Sequence, residues 1–109
     1  MPTRDQLLAL LRSDLAALDG LSEGQMFGGL AFLLNGHLVC ALRRNDGMFR
    51  VGKPNEPAAL QIEGASPMTM SGRRMEGIVE ASGSVLADDR RRRQLMEIAL
   101  GYVRTLAPK

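Results

Sequence analysis

The side chains of this sequence best suited to binding chemistry are its arginines, which are all but two of its 14 basic residues. Four are consecutive, Arg90 to Arg93, and two pairs lie at or near expected turns. The planar guanidinium group binds carboxylates and phosphates through two parallel hydrogen bonds, which the ammonium group of lysine does not do. The candidate partner-binding residues are Arg90, Arg91, Arg93, Arg43, Arg44, Arg73 and Arg74.

Three explanations of these arginines stay open: a solvated surface, a protein partner and nucleic acid. The formal net charge is only +2, which indicates nucleic acid only if the charge is clustered. Three phenylalanines and one tyrosine are few for a sheet that stacks bases. The sequence cannot place the three arginine clusters on the same side of the molecule.

The sequence offers no set of residues for metal binding or nucleophilic catalysis. It has one histidine, His37, and one cysteine, Cys40, whereas a structural zinc site needs four nitrogen or sulfur ligands. Three positions apart on one expected strand, the two should point to opposite faces. We expect Cys40 to be a core residue on the same face as Leu38 and Leu42, and His37 to be solvated. The prediction is a protein that is not an enzyme, with no catalytic residues, metal or cofactor.

The segment "GMFRVGKP" matches the first seven positions of the phosphate-binding pattern G-x-x-x-x-G-K. Pro54 stands where that pattern has a magnesium-binding serine or threonine. The residues between the glycines alternate as a strand, so no helix amino end is available for phosphates. We therefore predict that this segment does not bind a nucleotide.

Two helices with marked ends are predicted near the ends of the chain. In "TRDQLLALLRSDLAALDG", Thr3 and Gln6 have the spacing of a capping box, and Gly20 lies where a helix usually ends. The other helix should begin near Asp88 and run to about Leu106.

The arginine run lies in the first turn of this last helix, where it opposes the helix dipole. We expect Arg90 and Arg93 to point away from the buried stripe, and ion pairs at i,i+4 between Asp88 and Arg92 and between Asp89 and Arg93. Replacing all four arginines with serine should then weaken partner binding and change the melting temperature little.

The middle of the chain reads as strands and turns. After a linker "LSEGQ", the runs "FGGLAFLL" and "HLVCALR" are joined by Asn35-Gly36, a strong hairpin signal. A turn at Asp46-Gly47 leads into "MFRVG", and Ser71-Gly72 joins two further strands. The segment "NEPAALQIEG" predicts a short helix between them, capped by Asn55.

These elements predict an α+β fold, a two-layer structure in which helices pack on an antiparallel sheet in the order α-β-β-β-α-β-β-α. The length fits one domain, residues 1–109. The single cysteine and the absence of an apolar leader in "MPTRDQLLALL" indicate a cytoplasmic protein with no membrane partner.

The sequence also resembles the N-terminal domain of the TfoX (Sxy) family. The resemblance rests on "MFGGLAFLLNGHLVCAL", "FRVGK", "PMTMSGRRMEG" and "LAPK", in this order from about Met26 to the C-terminus. The motif residues that we treat as structural are Met26, Phe27, Gly28, Gly29, Arg50, Gly52, Pro67, Gly72 and Gly77.

The resemblance implies a two-layer fold and a link to natural competence, where members act as transcriptional co-regulators beside the cyclic-AMP receptor protein. We therefore expect a regulatory domain that binds a protein, possible homodimerisation included, through a sheet edge or the arginine-led helix. The alternatives are nucleic-acid binding through the arginine clusters and a small-ligand site beside Gly28-Gly29.

Overall fold

The computed structural model describes residues 2–26 and 28–108. The helices are α1 (Arg4–Leu15), α2 (Glu56–Leu60), α3 (Gly83–Ala87) and α4 (Asp89–Val103), with a 3₁₀ turn at Lys53–Asn55. The strands are β1 (Leu21–Met26), β2 (Gly29–Leu34), β3 (His37–Arg43), β4 (Asp46–Arg50), β5 (Ala65–Met70) and β6 (Arg73–Ala81). The predicted α+β class is confirmed, and β1 and α3 are added to the predicted order.

The six strands form one antiparallel sheet in the order β1-β2-β3-β4-β6-β5. The segment predicted as a linker is strand β1, which pairs with β2 from Leu21 opposite Leu34 to Met26 opposite Gly29. The linker prediction was wrong because β1 is an edge strand with mostly exposed side chains. Such a strand lacks the apolar alternation by which buried strands are recognised.

The turns at Asn35-Gly36 and Ser71-Gly72 are confirmed, and all four residues have a positive φ. The turn between β3 and β4 lies two residues earlier than predicted, at Arg44-Asn45. Gly47 belongs instead to β4, where a Cβ would lie 2.8 Å from a methyl carbon of Leu86 on α3. The glycine is needed there for close packing of a helix and not for a turn.

Helix α1 begins with the predicted capping box, in which Thr3 Oγ1 accepts from the Gln6 amide at 3.1 Å. It ends at Leu15, five residues before Gly20. Helix α4 begins at Asp89, with the side chain of Asp88 accepting from the amides of Arg90 and Arg91. The Asn55 side chain makes no cap and donates instead to the Val51 carbonyl oxygen at 2.9 Å.

All four helices pack on one face of the sheet. Their buried side chains form a single core with alternate residues of the strands, such as Phe32 and Phe49. A second buried cluster lies on the other face and contains strand residues only. We call this second face the helix-free face; its buried residues are Ala31, Leu38, Ala41, Met48, Met68 and Ile78.

Candidate functional site

The arginine run at the start of α4 does not act as one surface, because Arg92 is buried. Its side chain is 1% exposed and donates from Nε to Asp14 Oδ2 at 2.7 Å and from Nη2 to Asp14 Oδ1 at 3.2 Å. Nη1 donates to the Leu86 carbonyl oxygen and to Asp89. Arg92 therefore fastens α4 to α1, and serine at this position would remove a structural ion pair.

The other three arginines of the run differ in how free they are. Arg91 donates to Asp88 Oδ2 at 2.8 Å and to the Glu63 carbonyl oxygen at 3.1 Å. Arg93 is 67% exposed and lies 3.7 Å from Asp14. Arg90 is exposed and forms no ion pair with the described residues. The predicted i,i+4 pairs are wrong, since the observed pairs, Asp88 with Arg91 and Asp89 with Arg92, are at i,i+3.

The two remaining arginine pairs lie at opposite ends of the sheet. Arg43 and Arg44 are at the β3–β4 turn, near the end of β6, because Gly47 pairs with Ala81. Arg73 begins β6, which at 3.3 Å per residue is about 26 Å long. The candidate arginines thus form three separate groups, with Arg90, Arg91 and Arg93 in the helix layer.

The two members of the Arg73-Arg74 pair also point to different faces. Arg73 is opposite Met70, which packs on the helix-free face. Arg74 reaches Glu56 at the start of α2, with 3.4 Å between Nη2 and Oε2. The Glu56 carboxylate also accepts from the Gly77 amide at 2.9 Å. Only Arg73 of this pair is thus directed to the helix-free face.

The centre of the helix-free face is apolar although no helix of the described residues covers it. The six residues of its buried cluster are at most 9% exposed, and Leu33, Met70 and Met75 pack against them. Four methionines lie in or against this cluster: Met48, Met68, Met70 and Met75. Methionine side chains are flexible and polarizable, which is why they occur at surfaces that adapt to a partner.

A depression of about 460 Å³, which we call the Arg50 depression, lies where this face ends at the chain segment after β4. Its apolar wall includes Met26, which is 37% exposed and is the most exposed large apolar side chain of the described residues. The residues that line it are Met26, Leu33, Gly36, Leu38, Arg50, Lys53, Glu76, Gly77, Ile78 and Tyr102.

Arg50 is the charged side chain of this depression whose hydrogen-bond donors no described carboxylate occupies. Its guanidinium carbon lies 5.7 Å from the centre of the Tyr102 ring, a cation–π distance. Lys53 pairs with Glu76 at 3.4 Å, whereas Arg50 forms no ion pair with any carboxylate of residues 2–26 and 28–108. The depression thus joins an apolar wall to a half-buried arginine.

Several motif residues of the family resemblance build the depression. Met26, Arg50 and Gly77 line it. The Gly77 carbonyl oxygen accepts from the amides of Val51 at 2.9 Å and Gly52 at 3.0 Å, which holds the segment after β4 against β6. Gly52 has φ 84°, and a Cβ on it would overlap the Tyr102 ring. From the sequence we predicted a structural role for these residues, and Arg50 was not among the predicted partner-binding residues.

The other motif residues lie elsewhere. Gly29 packs so closely on the Leu42 backbone that a Cβ would overlap it, and Gly72 lies in the β5–β6 turn. Pro67 is exposed on β5, an edge strand where a proline interrupts no further pairing. Phe27 lies outside the described residues. The sequence did not identify Leu33, Leu38 and Ile78 as residues of the apolar wall. Only the strand pairing shows which apolar side chains point to the helix-free face.

A second depression, of about 510 Å³, lies beside Gly28-Gly29, where the small-ligand alternative was placed. Helix α1 forms one side of this depression and contributes Arg4 and Arg12. The Arg12 side chain already donates to both oxygens of Glu23 at 3.0 Å. Less charge is therefore available to a ligand here than the residue types suggest.

The prediction for His37 and Cys40 needs correction. A β-bulge at Val39 puts Leu34 opposite His37 and Phe32 opposite Cys40, so both residues lie on the helix side and Leu38 on the other face. His37 is half-buried, with Nε2 2.6 Å from the Ala107 carbonyl oxygen. Cys40 is a core residue, as predicted, and burial raises the pKa of its thiol far above the usual range.

Comparison with known proteins gives one match. The family model for the TfoX N-terminal domain matches residues 13–102 of the 109-residue chain. Neither the curated proteins nor the solved structures gave a match. Within residues 2–26 and 28–108, no helix is long and apolar enough to cross a membrane, and no three metal-ligating side chains gather as a metal site would require.

Proposed function

Because the chain belongs to the TfoX N-terminal domain family, we propose that it is a small, non-enzymatic regulatory domain that acts by binding a protein partner. The partner belongs to a transcription-regulating system linked to natural competence, as the family resemblance implies. The domain modulates that partner and carries out no reaction of its own.

The observation that carries the proposal is the apolar, helix-free face that ends in the Arg50 depression. A surface on which methionine and leucine side chains adjoin an arginine that pairs with no carboxylate of the described residues fits a protein interface, whose core is apolar and enriched in methionine and arginine. The nucleic-acid alternative has less support, since the candidate arginines form three separate groups. Continuous phosphate contacts need basic residues along one path.

The test combines a transcript comparison with a direct binding measurement. Transcripts are compared between cells that lack the gene and cells that carry it again. Proteins that the tagged chain captures are then purified, and each is titrated against the chain by calorimetry. We expect at least one purified regulator to bind, and its transcripts to change when the gene is removed. Unchanged transcripts together with no direct binding would contradict the proposal.

A variant for this test must leave Arg92 in place. The structure corrects the expected effect of replacing all four arginines with serine, because Arg92→Ser removes the ion pair between α4 and α1. Arg90→Ser with Arg93→Ser changes only exposed side chains. This pair of substitutions tests the arginine-led helix as a partner surface without unfolding the domain.

A further inference from the structure

The geometry points to an acidic segment of a partner protein as the occupant of the Arg50 depression. We infer that the segment places one large apolar side chain against the apolar wall and one carboxylate against Arg50. This inference rests on the proposed protein-binding function and specifies its surface and the chemistry of its partner.

The apolar half of the depression can hold one large apolar side chain of a partner. The exposed Met26 and the half-buried Leu33 line it together with the nearly buried Leu38 and Ile78. A volume of about 460 Å³ lies within the range of pockets that hold small ligands. At protein interfaces, pockets of this kind are filled by single anchor side chains that contribute much of the binding energy.

The charged half selects for a carboxylate. Tyr102 supports the Arg50 guanidinium from one side, which fixes its direction without neutralising its charge. A carboxylate can form two charge-assisted hydrogen bonds to such a group. Lys53 is already paired with Glu76, so the local charge left by these three side chains is that of Arg50. An acidic partner is complementary to this charge.

A second copy of this chain fits the depression poorly. In a symmetric contact whose two-fold axis passes through the depression, the two Arg50 side chains would lie close to each other. Arg73 lies on the same face and adds to the repulsion. Because like charges brought together in an interface repel each other, these arginines disfavour a second copy of the chain as the partner.

The experiment uses a synthetic peptide as the probe, with glutamates on both sides of a single phenylalanine and a fluorescein label. One control peptide has lysines in place of the glutamates, and the other has serine in place of the phenylalanine. Fluorescence anisotropy gives the dissociation constant of each peptide with the full chain. We expect the probe to bind at least about tenfold more tightly than either control, because each control removes one half of the contact.

Two matched variants locate the binding. Arg50→Glu and Arg90→Glu make the same charge change, one in the depression and one in the helix layer. Arg50→Glu should weaken the probe at least about tenfold, and Arg90→Glu should change its affinity less than about twofold. Arg50→Gln removes the charge without adding the opposite one, and it replaces Arg50→Glu if the melting curve shows that the latter unfolds.

Each outcome decides the inference. Equal loss with Arg50→Glu and Arg90→Glu, or equal binding of the serine control, overturns it. Self-association of the chain that Arg50→Glu abolishes also overturns it, in favour of a second copy. If a purified regulator binds the wild type and Arg50→Glu equally, the proposed function stands and this surface is wrong. If the probe discriminates as expected and no regulator binds, the surface stands and the regulatory function is wrong.

Discussion

At the scale of single residues, Arg92 differs from its neighbours in the arginine run because its guanidinium is buried between two carboxylates. Replacing Arg92 with alanine leaves Asp14, itself only 8% exposed, without its main partner. Breaking a buried ion pair from one side costs about 3–5 kcal/mol. We expect this loss of unfolding free energy in urea denaturation.

The control for Arg92→Ala is Arg90→Ala, two residues earlier on the same helix. The Arg90 side chain is exposed, and its replacement should change the unfolding free energy by less than about 0.5 kcal/mol. Equal effects of the two substitutions would show that the Arg92–Asp14 pair does not fasten α4 to α1.

Asp88 is the residue for which a pH dependence can be worked out. Its pKa is lowered by hydrogen bonds from the Arg91 side chain and backbone. A folded pKa below the unfolded value, about 3.9, means that the ionised group stabilises the fold above that value. The contribution is lost as the pH falls through the folded pKa. An NMR titration should place the Asp88 midpoint below about 3.9.

The matched variant for this titration is Arg91→Ala, which removes the side-chain hydrogen bond that lowers the Asp88 pKa most. The Asp88 midpoint should then move up toward the unfolded value, while the amide of Arg90 still donates to the carboxylate. A midpoint that stays the same in both proteins would assign the shift to another cause.

The sequence shows the run of four arginines but not which of them is buried and which are exposed. Arg92 contacts Asp14, which is 78 positions earlier in the chain, so only the packing of α4 on α1 reveals the pair. Arg50 was identified through the family motif alone. Arg50 has no carboxylate partner among the described residues because Glu76 pairs with Lys53, and no local pattern contains this information.

At the scale of secondary structure, the elements with strong local signals were predicted and the others were not. The α1 capping box and the Asn35-Gly36 hairpin are local, so their residues alone determine them. Strand β1 was missed because its pairing with β2 is what makes it a strand. The bulge at Val39 was missed for the same reason, and it reversed the predicted faces of His37 and Leu38.

Two glycines with a positive φ differ in what surrounds them. Gly52 has φ 84° and lies against the Tyr102 ring, whereas Gly72 has φ 76° and open space around its Cα. Alanine at Gly72 carries only the cost of a left-handed backbone, about 1–2 kcal/mol. Gly52 has ψ 143° as well, a combination that side chains other than glycine rarely adopt. Alanine at Gly52 therefore carries a higher backbone cost and a clash with Tyr102, and it should destabilise the fold more in chemical denaturation. Equal losses would contradict both effects.

At the scale of the whole molecule, the distribution of arginine argues for a local contact and against a path for nucleic acid. Arg43-Arg44, Arg73 and the α4 arginines lie in three places, so few of them can meet one duplex together. We expect binding to a DNA duplex to be no tighter than non-specific affinity, about 10⁻⁴–10⁻⁶ M at physiological salt.

The measurement for this prediction is a titration of the chain against duplex DNA at several salt concentrations. Tight binding, with a slope of log affinity against log salt that reports several phosphate contacts, would contradict it. In that case the arginine groups would have to act together in a way that their separation in the fold does not suggest.

We infer that the chain binds an acidic protein segment in the Arg50 depression. The most direct test is NMR mapping of backbone amide shifts as the glutamate–phenylalanine probe is added to the chain. We expect the largest changes at Leu33, Leu38, Arg50 and Ile78, with little change at Arg90. Changes confined to the start of α4, or spread evenly over the arginines, would contradict it.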